Sequence, residues 1–168
     1  SAEAEVIREL YLYDNNISYL EGIEAFVNLE SLVCILNQLT ALDLSGNTKL
    51  EDLNCGGNQL TSLDISACTA LELFYCNDNQ LSNLDISSNG LLYALYCSGN
   101  QLTSLDLSHN TALETLWCSD NPLTGLDVSA NTALMEAGCM ENQLSTLDVS
   151  ANTALEILHA EDNQLTAL

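Results

Sequence analysis

Positive charge is what this sequence most lacks. Arg8 and Lys49 are its only strong bases against 24 carboxylates, giving a net charge of −22. Such a surface repels phosphate backbones and anionic lipid, so nucleic acid and anionic membranes are poor partners. Long apolar runs are missing too: the longest are a few residues, against the roughly 20 that a spanning helix needs, so no direct membrane insertion is expected. The N-terminal stretch SAEAEV shows no basic-then-apolar export signal. Histidine is scarce as well. With only His109 and His159 available, acid–base chemistry has few carriers, and no nucleophile, acid and base converge in the pattern.

What the chain does have is one unit copied many times. Leu92 to Ala112, LYALYCSGNQLTSLDLSHNTA, is a 21-residue segment whose close copies start at Leu29, Leu50, Leu71, Leu92, Leu113, Leu134 and Leu155, preceded by a 22-residue copy from Ile7. Seven copies are complete and the eighth, from 155, is partial. A fixed period of this length signals a solenoid, because one unit cannot bury its apolar face alone and must stack on its neighbours. Residues 1–168 are therefore expected to form a single repeat domain with a curved stack of parallel strands, one per unit near positions 3 to 5, and little helix. Ending part-way through a unit is expected of a piece of a longer protein. Ahead of the first unit, Ala2, Ala4 and Val6 offer it a partial cover.

Positions 1, 4, 6, 11, 14 and 16 are apolar in almost every later copy. At roughly 1.5 to 3 kcal/mol per buried large side chain these six rows dominate stability. In the first copy Leu20, Ile23, Phe26 and Leu29 recur every third residue, which predicts a short 3₁₀ turn. From the second copy the return reads Leu-Asp-(Leu/Ile/Val)-Ser, an alternation that predicts a short extended piece. Position 9 is always Asn, from Asn15 to Asn163. An unpaired amide among apolar neighbours costs about 1 to 3 kcal/mol, so this row must bond backbone at the turn. Position 10 is Gln in six copies, and amides spaced about 4.8 Å apart are able to bond along the stack, with Pro122 interrupting the row. In the seventh unit Ala137 and Gly138 replace larger residues, which predicts local looseness, with Met135 or Met140 as partial fillers.

The consensus Leu-x-x-Leu-x-Cys-x-x-Asn-x-Leu-x-x-Leu-Asp-(Leu/Ile/Val)-Ser, over about Ile7 to Leu168, resembles the bacterial leucine-rich repeats of the internalins. Cys34, Cys55, Cys76, Cys97, Cys118 and Cys139 at position 6 match the cysteine ladder of one internalin type. The resemblance implies an α/β-class horseshoe solenoid, mostly strand and loop, with a parallel concave sheet that holds ligands. It also implies a secreted or cell-surface bacterial protein.

Seven cysteines invite a disulfide reading, but six share one inward position. Their parallel Cβ vectors lie about 5 Å apart, beyond the 3.5–4.5 Å of a bridge, so they are expected as free core residues. A straight row also gives zinc no tetrahedron. Cys68 stands in the row Asn47, Asn89, Asn110, Asn131 and Asn152 and is expected nearest the surface. Asp43, Asp64, Asp85, Asp106, Asp127 and Asp148 form a row at position 15. Calcium needs six to eight oxygens around one point, so these read as solvated groups bonding nearby Ser and backbone. His159 beside Glu136 and Glu161 reads as a surface histidine. No metal, cofactor or catalytic residue is assigned, and the chain is not expected to be an enzyme.

The informative row is position 5, which faces out of the concave sheet: Tyr11, Val33, Asn54, Tyr75, Tyr96, Trp117, Gly138, His159. Tyr75, Tyr96 and Trp117 form a stripe, with Leu73 at position 3 and Asn77, Ser98 and Ser119 at position 7 beside it. Exposed amphipathic aromatics are the composition of an interaction hot spot. These seven residues are the candidate ligand-binding site, for a protein or a glycan, with Asp78, Asp120 and Glu141 as an acidic rim. A spacer whose concave face binds nothing would have the same fold.

Overall fold

In the computed structural model, which describes residues 4–167, eight three-residue strands form one parallel sheet in chain order. They are β1 (Glu9–Tyr11), β2 (Ser31–Val33), β3 (Asp52–Asn54), β4 (Leu73–Tyr75), β5 (Ala94–Tyr96), β6 (Thr115–Trp117), β7 (Glu136–Gly138) and β8 (Ile157–His159). Pairing follows the repeat itself. Glu9 faces Ser31, 22 residues on, while every later step, such as Leu53 to Phe74 to Leu95, is 21 residues. Each strand therefore continues the hydrogen bonding of the one before without any crossover.

Alternation along each strand sends its middle residue inward. Leu32, Leu53, Phe74, Leu95 and Leu116 are fully buried there, joined by the position 1 leucines Leu29 to Leu134 and the position 11 leucines Leu39 to Leu144. All six ladder cysteines and Cys68 are buried and free. The expected exposure of Cys68 is thus corrected. The asparagines of its row are themselves buried, so the whole row is interior, and replacing Asn by Cys there does not bring the thiol outward.

The first unit carries the 3₁₀ turn that its spacing predicts, at Ile23–Ala25 behind Gly22. Gly46, in the next unit, fits because a Cβ there would overlap the Glu24 carbonyl; the bare backbone joins the 3₁₀ back of the first unit to the extended backs that follow. Ala4 is buried, whereas Val6 is 76% exposed and covers nothing; Ala2 lies outside the described residues.

The repeated asparagine row at position 9 is the brace of the stack. Each Oδ1 from Asn58 to Asn163 accepts the position 11 N–H of the preceding unit, as Asn100 does from Leu81 at 3.0 Å. Its Nδ2 donates to the carbonyls of two successive ladder positions; Asn100 reaches Cys76 and Cys97, both at 3.0 Å. The cysteine carbonyls are thereby tied across units. The glutamine row works differently: Gln59, Gln80 and Gln101 pair through backbone N–H with Leu39, Leu60 and Leu81 carbonyls. No glutamine–glutamine bond occurs among the described residues, and the one side-chain bond of the row joins Gln38 to Asn16.

Candidate functional site

Strand alternation places positions 3 and 5 on the outer, concave side of the sheet, and the parallel register brings equal positions of neighbouring units side by side. Tyr75 and Tyr96 are register partners. Their rings stack with centroids 4.3 Å apart and planes 13° from parallel, close to the roughly 4.8 Å strand spacing that imposes it. The Tyr75 phenol is held above its ordinary value, first by burial and then by Tyr96, with Asp52 and Tyr93 adding to the effect.

Trp117 behaves differently from the two tyrosines. Its partner on β7 is Gly138, and a Cβ on Gly138 would come 2.7 Å from Cζ3 and 2.8 Å from Cδ2 of the indole. The ring fills the space that a side chain at 138 would take. It reaches across to His159, centroids 5.5 Å apart and tilted 32°. At Gly138 the looseness expected in the seventh unit is corrected. Gly138 is buried, β7 pairs fully with both neighbours, and Trp117 fills the outer-face space over Gly138, while Met135 is exposed.

The other candidate residues divide. Leu73 lies half-buried at the start of β4, two residues before Tyr75 on the same face. Asn77 donates through Nδ2 to Asp78 Oδ2 at 2.7 Å. Ser98 Oγ accepts the Ser119 N–H, and Ser119 Oγ accepts the Met140 N–H, each at 3.1 Å. These hydroxyls prolong the sheet past the strand ends. Ser119 is buried, a correction to its expected place on the open face. Two residues that the position-5 row did not reveal, Leu91 and Tyr93, are exposed, with Tyr93 near enough to Tyr75 to act on its phenol. Tyr93 immediately precedes β5, and Leu91 lies in the turn that leads into it. Their signal was Tyr93 at position 2, where most copies have Glu.

Burial pushes the thiols up, Cys34 and Cys97 to about 12, with Cys55, Cys76 and Cys118 also well above their ordinary value. A buried row of free thiols on a parallel 21-residue register is a cysteine ladder. The same feature is found in the functional domain of InlJ from Listeria monocytogenes, a solved structure that superposes with a TM-score of 0.94 at 39% identity, over 98% of this chain. This chain is a leucine-rich repeat solenoid of the internalin J type.

A second solved internalin of Listeria monocytogenes, InlF, is 30% identical over 99% of the solenoid, with a TM-score of 0.90. A leucine-rich repeat protein of Leptospira interrogans, at 24% identity, 98% coverage and TM-score 0.91, shares the fold. The internalin J-type solenoid spans 39%, 51% and 45% of those three chains respectively. No protein-family model and no curated protein matches the sequence.

Away from the concave face, each aspartate of the solenoid's position 15 row accepts the backbone N–H of the serine two residues on, as Asp85 does from Ser87 at 3.0 Å. Hydrogen bonds from that serine's hydroxyl and backbone hold these carboxyls below their ordinary value. Among the described residues no group of three His, Cys, Asp or Glu is placed to hold a metal ion. His159 Nδ1 lies 3.7 Å from Glu161 Oε1, with both side chains open to solvent.

Proposed function

We propose that this solenoid is a non-catalytic binding module that holds a protein partner across its concave strands, anchored on Tyr75, Tyr96 and Trp117, with Leu73 and Asn77 beside them. The observation that carries the reading is the ordered aromatic stripe. Two stacked phenols and an indole seated on its neighbour lose little freedom when a partner covers them, so their desolvation goes into affinity. Ser98 and Ser119 contribute by fixing the sheet under the stripe. Leu91 and Tyr93 extend the contact around the edge. The likeness to internalins supports a place in a secreted or cell-surface protein, and the aspartates and glutamate Asp78, Asp120 and Glu141 at the rim favour a basic partner.

Pull-down with the wild type and with a Tyr75→Ala, Tyr96→Ala, Trp117→Ala variant, both confirmed folded by circular dichroism, tests the reading. Hot-spot truncations of this kind cost about 2 kcal/mol or more each, enough to remove a micromolar partner. A spacer predicts the same captures from both proteins, and that result would discard the concave site.

A further inference from the structure

We infer that the Trp117–Gly138–His159 shelf is a seat for an arginine side chain presented by the protein partner. This rests on the concave-face reading above and names the chemistry of one anchor within it. Gly138 carries no side chain, and the indole takes its place, leaning away from Tyr96 and toward His159. Trp117 remains half-exposed there. The shelf is therefore a planar π surface one unit wide rather than a third ring of the tyrosine stack.

Carboxylates surround it. Glu136 is two residues before Gly138 on β7, hence on the same face and roughly 7 Å along the strand. Glu161 follows His159 by two residues on the neighbouring unit, and Asp120 and Glu141 occupy the left-handed turn positions after β6 and β7. The chain supplies almost nothing to neutralise them. Arg8 pairs with Glu30, and Lys49 Nζ bonds Asn28 Oδ1 at 2.7 Å, both at the opposite end of the stack. The imidazole of His159, 3.7 Å from Glu161, is the nearest counter-group.

A half-exposed indole framed by unneutralised carboxylates matches a guanidinium better than any other side chain. A guanidinium is flat enough to lie on the ring, carries its charge at every working pH, and has donors to spare for a carboxylate at its edge. A lysine ammonium would take the charge but not the stacking. A sugar would take the stacking and donate hydroxyls to the acids, but it brings no positive charge to offset them.

The test uses Trp117 itself, the only tryptophan in the chain, as the reporter. Acetyl-Gly-Arg-Gly-amide is titrated into the protein at constant ionic strength while indole emission is followed, alongside the citrulline tripeptide, which is isosteric and neutral, and a hexose. The arginine peptide should give a saturable change, with citrulline and hexose weaker by roughly fivefold or more, the weight of one cation–π contact. Gly138→Ala displaces the ring without backbone strain, because Gly138 is not among the positive-φ residues, and should weaken the arginine peptide by a similar factor, as should Glu136→Gln. No saturable change, equal binding of citrulline or hexose, or equal binding by wild type and both variants would overturn the arginine seat. If a captured partner is lost by Tyr75→Ala and Tyr96→Ala but kept by Gly138→Ala and Glu136→Gln, the concave site stands and the arginine seat falls.

Discussion

Asn100 and Asn110 are both buried amides that donate to backbone carbonyls of the preceding unit, yet truncating each to alanine is expected to cost very different amounts. Asn100 Oδ1 accepts the buried N–H of Leu81 at 3.0 Å, and Nδ2 is shared among the carbonyls of Cys76, Cys97 and Ser98. Those three oxygens keep other donors, namely Asn79, Asn121 and the Asp78 N–H. The Leu81 N–H keeps none. Orphaning it costs about 1 to 3 kcal/mol, and losing two donated bonds adds about 1 kcal/mol each, so Asn100→Ala should lose about 3 to 5 kcal/mol.

Asn110 donates to Ile86 and Asn89 carbonyls at 3.1 and 2.9 Å, but its own Oδ1 is buried without a partner. Alanine removes two bonds and also removes an unsatisfied oxygen, and these nearly cancel to under about 1 kcal/mol. The two side chains are the same size, so any cavity term is similar in both and drops from the comparison. Urea unfolding followed by circular dichroism reads the difference, and amide exchange at Leu81 reads the orphaned group directly, since a stack of units opens locally. Equal destabilisation by the two variants, or full protection of the Leu81 amide in Asn100→Ala, would refute the assignment of the position 9 row as the brace.

Thiol labelling at mildly alkaline pH should be slow for all seven cysteines until denaturant is added, because burial raises them, Cys68 and Cys139 to about 11; rapid labelling of the native protein counts against the ladder. The position 15 carboxyls, lowered by their serine contacts, stabilise the fold fully above their unfolded values, and this contribution disappears as pH falls through the lower folded values. NMR titration of Asp85 and Asp106 should find both below 3.8, and ordinary values would remove the serine contacts from solution. Gly57 sits at φ 63°, with Leu36 Cδ2 2.6 Å from where a Cβ would be. Gly57→Ala should therefore lower stability by about 1 to 2 kcal/mol in calorimetry, and an unchanged melting temperature would show that the left-handed turn is not maintained.

Most of the architecture was legible because one number, the period, sets the register, and the register sets which residues share a row. Leu53, Phe74 and Leu95 needed nothing more to be placed inside. The misreadings arose where one unit reaches into another. Gly138 looked like a defect when its unit was read alone, whereas Trp117 of the preceding unit occupies its space. Ser119 looked free because its hydroxyl is used by a backbone N–H 21 residues later. Cys68 was placed near the surface because its row is otherwise asparagine, but that row bonds backbone in the buried interior. Tyr93 was passed over because position 2 is otherwise mainly glutamate.

The constant step of 21 residues from β2 to β8 has an evolutionary side. Excising or duplicating one such block leaves every remaining strand with a partner in the same register, so crossover between copies of the underlying coding segment yields a folded product of another length. The recognition surface would be edited along with it. Duplicating the block that carries Tyr96 would insert a third phenol into the stack, about 4.8 Å further along, moving Trp117 from two units to three units from Tyr75. Lineages carrying this kind of chain are thus able to vary the spacing of their anchors by recombination, without waiting for any point substitution in the core.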